Sequence, residues 1–487
     1  MAAHHPACAT PGANDSDASD FSGADRPVWR YTRPVHHPSA SVRPPLAQFR
    51  AASPRLVLLA AGAVLAALAI LIALSPPILI YDERYYMESS YYLAAHFDLL
   101  GPLRTPLDLA AGPLYPYLHV LLAPLTQLQL PAVRYVNWVA LVAVLGCSWR
   151  TLALLDYRDG AARAAMLLAV PMIGPTAGMA LTEIPALAMA SLSVLAATEA
   201  VATRVPRRAW LWWTLAGVAA GLAILGRQTY LPALIGFALV GWKRPAQRGG
   251  ALLAIGLAVL LILPMIAIWG GLSPPTQVPA MRSIAPEYGV LAFIYLACVT
   301  LLIAPGFFAA AIATPRRALI GAGLALLAGI AALLGAIRFE VAARVIAAVP
   351  SAVQVPADLA LRVGMTGVAA LFLIAAAVNV WERRDDSRFV LFSLLTVLAN
   401  GTAAGIGHQF SSRYVLIAFP FALMMLQPWV RPGAWAAARL GLGALLGFAS
   451  LAAYFWNAPP TDPAFKLAAP PEIVAQMPLG DVEKGIR

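Results

Sequence analysis

The stretch PPILIYDERYYMESSYYLAAHF, residues 76–97, begins where the first long apolar run of the chain stops and sets Asp82 and Glu83 among tyrosines. What precedes and follows it decides the fold. Residues 56–75 are apolar throughout and long enough to cross a bilayer, which takes about 20 residues. Runs of that kind recur along a chain of 487 residues that is 60% hydrophobic and 12% charged, with a mean hydropathy of +0.74. Soluble domains average about half apolar and a quarter charged, so no soluble interior would hide this much apolar surface. The sequence reads as an all-α integral membrane protein.

Counting runs gives about 13 transmembrane helices at ~20 residues per crossing: roughly 56–75, 131–150, 161–178, 183–202, 209–226, 228–242, 250–270, 290–312, 317–337, 362–381, 388–405, 414–430 and 434–456. The formal net charge is +11. With that count its clusters (Arg150, Arg158 and Arg163; Arg204, Arg207 and Arg208; Lys243, Arg244 and Arg248; Arg316 and Arg317; Arg383, Arg384 and Arg388; Arg431 and Arg439) fall on one side. The positive-inside rule makes that side cytoplasmic. No basic stripe on a soluble domain is present, so nucleic acid is not a partner. The expected location is the cytoplasmic (inner) membrane, with the N-terminus inside and the C-terminus outside.

Residues 1–50 are too polar for a core and are expected to form a disordered cytoplasmic tail. Residues 51–456 are the multi-pass domain, and 457–487 a short extracytoplasmic tail. The histidines at 4, 5, 36 and 37 lack cysteine partners, and Cys8, Cys147 and Cys298 show no metal or redox spacing.

The first outward loop, residues 76–130, is the longest, and long loops in compact folds tend to carry function. It reads as an amphipathic helix over 81–99 and a second apolar segment, GPLYPYLHVLLAPL (112–125), lying along the membrane surface. Asp82 and Glu83 stand at the outer boundary, where an ionisable group is costly without a task or a partner. Asp82 suits a helix N-cap, but a reciprocal capping box would need Glu or Gln where Tyr85 stands. Capping thus accounts for at most one of the two acids. Glu183 sits in a short outward turn between apolar helices, and there it would also complement a helix N-terminus. Arg227, Arg338, Arg344, Arg362 and Arg413 fall on the outer side, against the charge rule.

At these residues a resemblance appears. The segments 81–125 and VRYVNWVALVAVLGCSWRTLALL (133–155) resemble the start of polyprenyl-phosphate-dependent GT-C glycosyltransferases, the superfamily of protein O-mannosyltransferases, aminoarabinose transferases and rhizobial-type transferases. GMALTEIPAL, GLAILGRQTYLPAL and SSRYVLIAFPFAL are similar to later elements of the same group, matching Thr182, Glu183, Pro185, Arg227, Arg413 and Tyr414. Ala111 and Gly112 stand where many members have lysine and proline.

The resemblance implies an enzyme moving a sugar from a polyprenyl-phosphate donor to an acceptor lipid, glycan or protein among the membrane lipids. Asp82 would act as general base, taking the acceptor's proton. Glu83 and Glu183 would position the acceptor or assist a metal. Arg227, Arg413 and Tyr414 would bind the donor phosphate, whose developing charge cations stabilise. His408, Tyr85 and Tyr115 are further candidates. Two carboxylates do not specify a metal, so a divalent cation stays open. The rival readings are a lipid or glycan transporter, which should show broken helices in two matching halves, and a non-catalytic membrane scaffold.

Overall fold

The structure, a computed structural model, describes residues 54–104, 107, 111–275, 286–333, 346, 350–403, 410–457, 467 and 469–479. All of these fall in the unit Gln48–Arg487. The expected tail over 1–50, His408, Arg338 and Arg344 lie outside the described residues.

Helix α1, Pro54–Ala73, is a run of Ala, Leu, Val and Ile opened by a proline, and Pro76 and Pro77 follow its end. The first loop folds as α2 (Glu83–Ala95) and α3 (Leu114–Leu121). Then come α4 (Ala132–Leu154), α5 (Glu183–Ala202), α6 (Pro206–Gly226), α7 (Ala233–Lys243) and α8 (Arg248–Trp269). The second half has α9 (Pro286–Ile303), α10 (Pro315–Leu333), α11 (Ser351–Glu382), α12 (Ser387–Ala403), α13 (Phe419–Leu426) and α14 (Ala434–Asn457). There is no strand among the described residues. The helices pack as neighbours, α4 on α5, α5 on α6, α6 on α8 and α10 on α11, and α14 returns to lie against α1.

Seven described helices are long and apolar enough to cross a membrane, or eight if α9 and the bent helix pair it forms with Pro305–Ile312 count as one span. The expected count of thirteen is not confirmed among the described residues, and proline accounts for much of the difference. Its ring removes a backbone donor and clashes with the preceding turn. Pro171 and Pro175 divide 161–178 into Gly160–Ala165, Met166–Ala169 and Ile173–Gly178. Pro232 shortens 228–242 to α7, and 414–430 becomes a 3-10 turn, Ser412–Ala418, followed by α13 and a turn at Pro428.

The broken segment 160–178 packs against α14 through glycine. A Cβ on Gly443 would lie 1.9 Å from the Ala169 carbonyl oxygen, and one on Gly447 2.4 Å from that of Pro171. Small residues four apart let backbones approach in this way.

The basic clusters meet one another at one end of the bundle. Arg163 Nη1 donates to the Gln427 carbonyl at 2.5 Å, and the Arg383 guanidinium lies 4.7 Å from the Trp429 ring. Arg317 pairs with Glu382 at 3.3 Å. The first loop lies at the other end, and the end of the chain joins it there. Ala469, Ile473, Met477 and Leu479 pack with Leu79, Met87, Tyr91 and Tyr115, and Leu79 N–H donates to the Pro478 carbonyl at 2.8 Å. The described residues of 457–487 thus cover the first loop.

Candidate functional site

Four chain segments converge where α2, α5 and α6 have their loop ends. Asp82 occupies the N-cap position of α2 but makes no capping hydrogen bond there. Its Oδ2 instead accepts from Arg413 Nη2, in the 3-10 turn Ser412–Ala418. Glu183 opens α5, next to the end of α6, because Gly226 lets the two elements touch: a Cβ there would sit 2.8 Å from that of Ala186. The next residue, Arg227, leaves the helix with extended backbone and donates through Nη2 to Glu183 Oε1.

Arg413 Nε stands 3.3 Å from that same Glu183 oxygen, within ion-pair range but off the line of a hydrogen bond. The result is an alternating chain of charges, Asp82, Arg413, Glu183, Arg227, drawn from four separated parts of the sequence. The side chain of Asp82 keeps 21% of its surface exposed and that of Glu183 none.

Aromatic rings wall the chain. Tyr414 lies under both guanidinium groups, 5.4 Å from Arg413 and 5.8 Å from Arg227, and the Tyr81 ring is 5.5 Å from Arg413. Cations over ring faces gain electrostatic stabilisation there. Burial opposes the charge of each arginine, yet the neighbouring acids outweigh it, so both are held above the usual guanidinium range, Arg413 well above. Tyr86, on α2, is pushed up by burial against the pull of Arg227 and Arg413. The polar groups are not fully satisfied: Glu183 Oε2, Thr182 Oγ1, Arg227 Nε and Arg413 Nη1 are buried with no hydrogen-bond partner among the described residues.

Of the residues expected from sequence, Asp82, Glu183, Arg227, Arg413 and Tyr414 come together. Glu83, expected to position the acceptor or assist a metal, goes elsewhere. Its Oε1 accepts from Arg134 Nε at 2.8 Å and Ala180 N–H at 2.7 Å, its Oε2 from Arg134 Nη2 at 2.6 Å and Ile80 N–H at 3.0 Å. All its capacity is spent inside the protein, so it has none to offer an acceptor. Arg134 is equally engaged, donating also to Ser75 Oγ and to the Pro76 and Ile78 carbonyls.

This pair acts on the site at one remove. Ala180 belongs to the short link before α5, and Asn137 Nδ2 grips the same link through the carbonyls of Met179 and Leu181 at 2.6 and 2.7 Å. Glu83, Arg134 and Asn137 thereby fix where Glu183 starts. Sequence reasoning missed the last two. Arg134 lies just inside an expected span on the outer side, the same departure from the charge rule that marked Arg227.

Tyr115 is a packing residue behind the site, its hydroxyl 3.8 Å from Met87 Sδ and its ring 4.3 Å from that of His119. Tyr85 is half-buried, with the Arg84 guanidinium 6.0 Å from its ring. Arg362 pairs with Asp358 at 2.8 Å. Among the described residues there is no cluster of three His, Cys, Asp or Glu able to hold a metal, and the cation between Asp82 and Glu183 is the Arg413 guanidinium.

Residues 110–269 match the family model of dolichyl-phosphate-mannose-protein mannosyltransferases. That range runs from the start of α3 to the end of α8 and contains Glu183 and Arg227. Two solved structures also resemble the chain, both of ArnT from Cupriavidus metallidurans. The apo form is 15% identical over 80% of this chain and 76% of that one, with a TM-score of 0.38. The form bound to undecaprenyl phosphate is 17% identical over 82% and 77%, with a TM-score of 0.41. No curated protein matches the chain by sequence. The family-model match covers about a third of the chain, and over that range the chain is similar to dolichyl-phosphate-mannose-protein mannosyltransferases.

Proposed function

We propose that this protein transfers a sugar from a polyprenyl-phosphate donor to an acceptor hydroxyl at the outer face of the cytoplasmic membrane, with Asp82 as general base. The observation that carries the reading is the alternating ion chain, in which buried arginines keep donors to spare. Arg413 Nη1 has no hydrogen-bond partner among the described residues, while Nη2 holds Asp82. A donor phosphate bound there would stand beside the carboxylate, which sets the base next to the sugar carbon that the phosphate carries.

The chemistry then balances within these residues. Asp82 takes the proton of the acceptor hydroxyl as its oxygen forms a bond to the anomeric carbon. The bond from that carbon to the phosphate oxygen breaks, and the electron pair leaves with the polyprenyl phosphate. Arg413 and Arg227 stabilise the extra negative charge, as preorganised cations do in a water-poor site. Glu183 holds the two guanidinium groups at one spacing and so sets where the phosphate lies.

The test is transfer in membrane vesicles from a panel of radiolabelled polyprenyl-phosphate sugars, with wild type and Asp82→Asn at matched expression. One donor should support transfer, and the variant should lose on the order of 10²–10⁴ in rate, the usual worth of a general base. Equal rates in the two proteins would remove Asp82 from the role. Neither transfer nor donor hydrolysis from any donor would favour a scaffold.

A further inference from the structure

The end of the bundle opposite the ion chain holds a second feature. A cavity of 530 Å³ opens between α4, α5 and α6, lined by Arg150, Glu199, Thr203, Arg208, Trp212 and Leu215. On α5, Glu183 and Glu199 are separated by about 24 Å at 1.5 Å per residue, close to the thickness of a hydrocarbon core. The cavity therefore sits at the boundary of the other leaflet.

Its charge is not balanced. Glu199 is taken by Arg150, whose Nε and Nη2 both reach Oε1, at 2.8 and 2.7 Å. Arg208 has no acidic partner among the described residues, and Arg204 and Arg207 precede it closely in sequence. Immediately beyond, Leu211 is 65% exposed and Trp210 49%. Cations at the water boundary, tryptophan at headgroup depth and aliphatic side chains below form the pattern of a headgroup pocket between membrane helices. A free phosphate would satisfy the cation and leave the apolar wall unused.

We infer that this cavity binds an anionic glycerophospholipid of its own leaflet, with the phosphate on Arg208 and an acyl chain along Leu211, Trp212 and Leu215. The donor site proposed above lies at the far end of α5 and α6, so the two lipids would not compete. Binding here ties the ends of α4, α5 and α6, and the last two carry Glu183 and Arg227 at their other ends.

The test is native mass spectrometry of the full chain in detergent, titrated with phosphatidylglycerol, phosphatidylcholine or inorganic phosphate. Wild type should take phosphatidylglycerol in preference to phosphatidylcholine. Arg208→Gln should bind phosphatidylglycerol about fivefold more weakly, the worth of one basic residue near an anionic surface. Arg316→Gln, which removes an exposed arginine from the start of α10, should bind as wild type does. Equal affinity for the two lipids, or an Arg208→Gln variant unchanged, would overturn the proposal. Displacement of phosphatidylglycerol by millimolar inorganic phosphate would also overturn it, since the site would then hold a free anion. None of these readings depends on sugar transfer.

Discussion

Asp82 and Glu83 are adjacent, yet at the head of α2 one turns to Arg413 and the other to Arg134. Their substitutions should separate accordingly. Glu83→Gln leaves Arg134 buried without its counter-charge, which typically costs about 3–5 kcal/mol. Thermal unfolding in detergent should show that loss, while Asp82→Asn, which removes a partly exposed acid and leaves Arg413 beside Glu183 at 3.3 Å, should lose less stability and lose transfer instead. His119 supplies a pH dependence. Burial pushes its imidazole down to about 3, so between there and its ordinary value near 6.5 the unfolded chain binds more protons. Stability should be full above pH 6.5 and fall as the pH drops toward 3, and His119→Leu should flatten that slope in a thermal series. The acids and arginines of the site were legible because intramembrane charge is expensive and needs a reason. The division of labour between residues 82 and 83 was not, since it depends on which way each side chain leaves the same turn.

Among the elements, most spans that show as single helices have apolar runs without internal proline, although α8 keeps Pro264 and α11 keeps Pro356, and these spans were legible from hydropathy. The segments 161–178 and 414–430 were read as crossings because their composition is apolar, but proline spacing governs whether such a run stays in one piece. The same breaks make the site possible, since Arg413 sits in a 3-10 turn that a continuous helix would not offer. Helix α3 meets the end of α6 at Gly112, whose φ of +90° and distance of 2.3 Å from a built Cβ to the Leu225 carbonyl oxygen leave no room for a side chain. Gly112→Ala should push α3 away from Arg227. The expected result is a protein that still inserts but transfers sugar at least tenfold more slowly, measured against an insertion assay on the same membranes.

Over the whole molecule, the contact between residues 469–479 and the first loop joins distant parts of the chain. Glu88 on α2 accepts from the Ala469 N–H, and Met477 and Leu479 cover Met87 and Tyr115. Terminating the chain after residue 466 should expose this cluster, lowering both thermal stability and transfer, with cysteine labelling at Met87→Cys reporting the lost cover. No short-range pattern foretold this docking, because its partners lie 381 residues apart. That separation also orders the events of biosynthesis. Glu83 meets Arg134 after only 51 further residues, but Asp82 waits 331 residues for Arg413. Ribosomes add about 5–20 residues per second, so the cover arrives some 20–80 s after the helix it protects. A nascent chain therefore carries its buried structural pair long before its ion chain is complete, and on the proposed function a half-made protein in the membrane would be inert toward donor lipids.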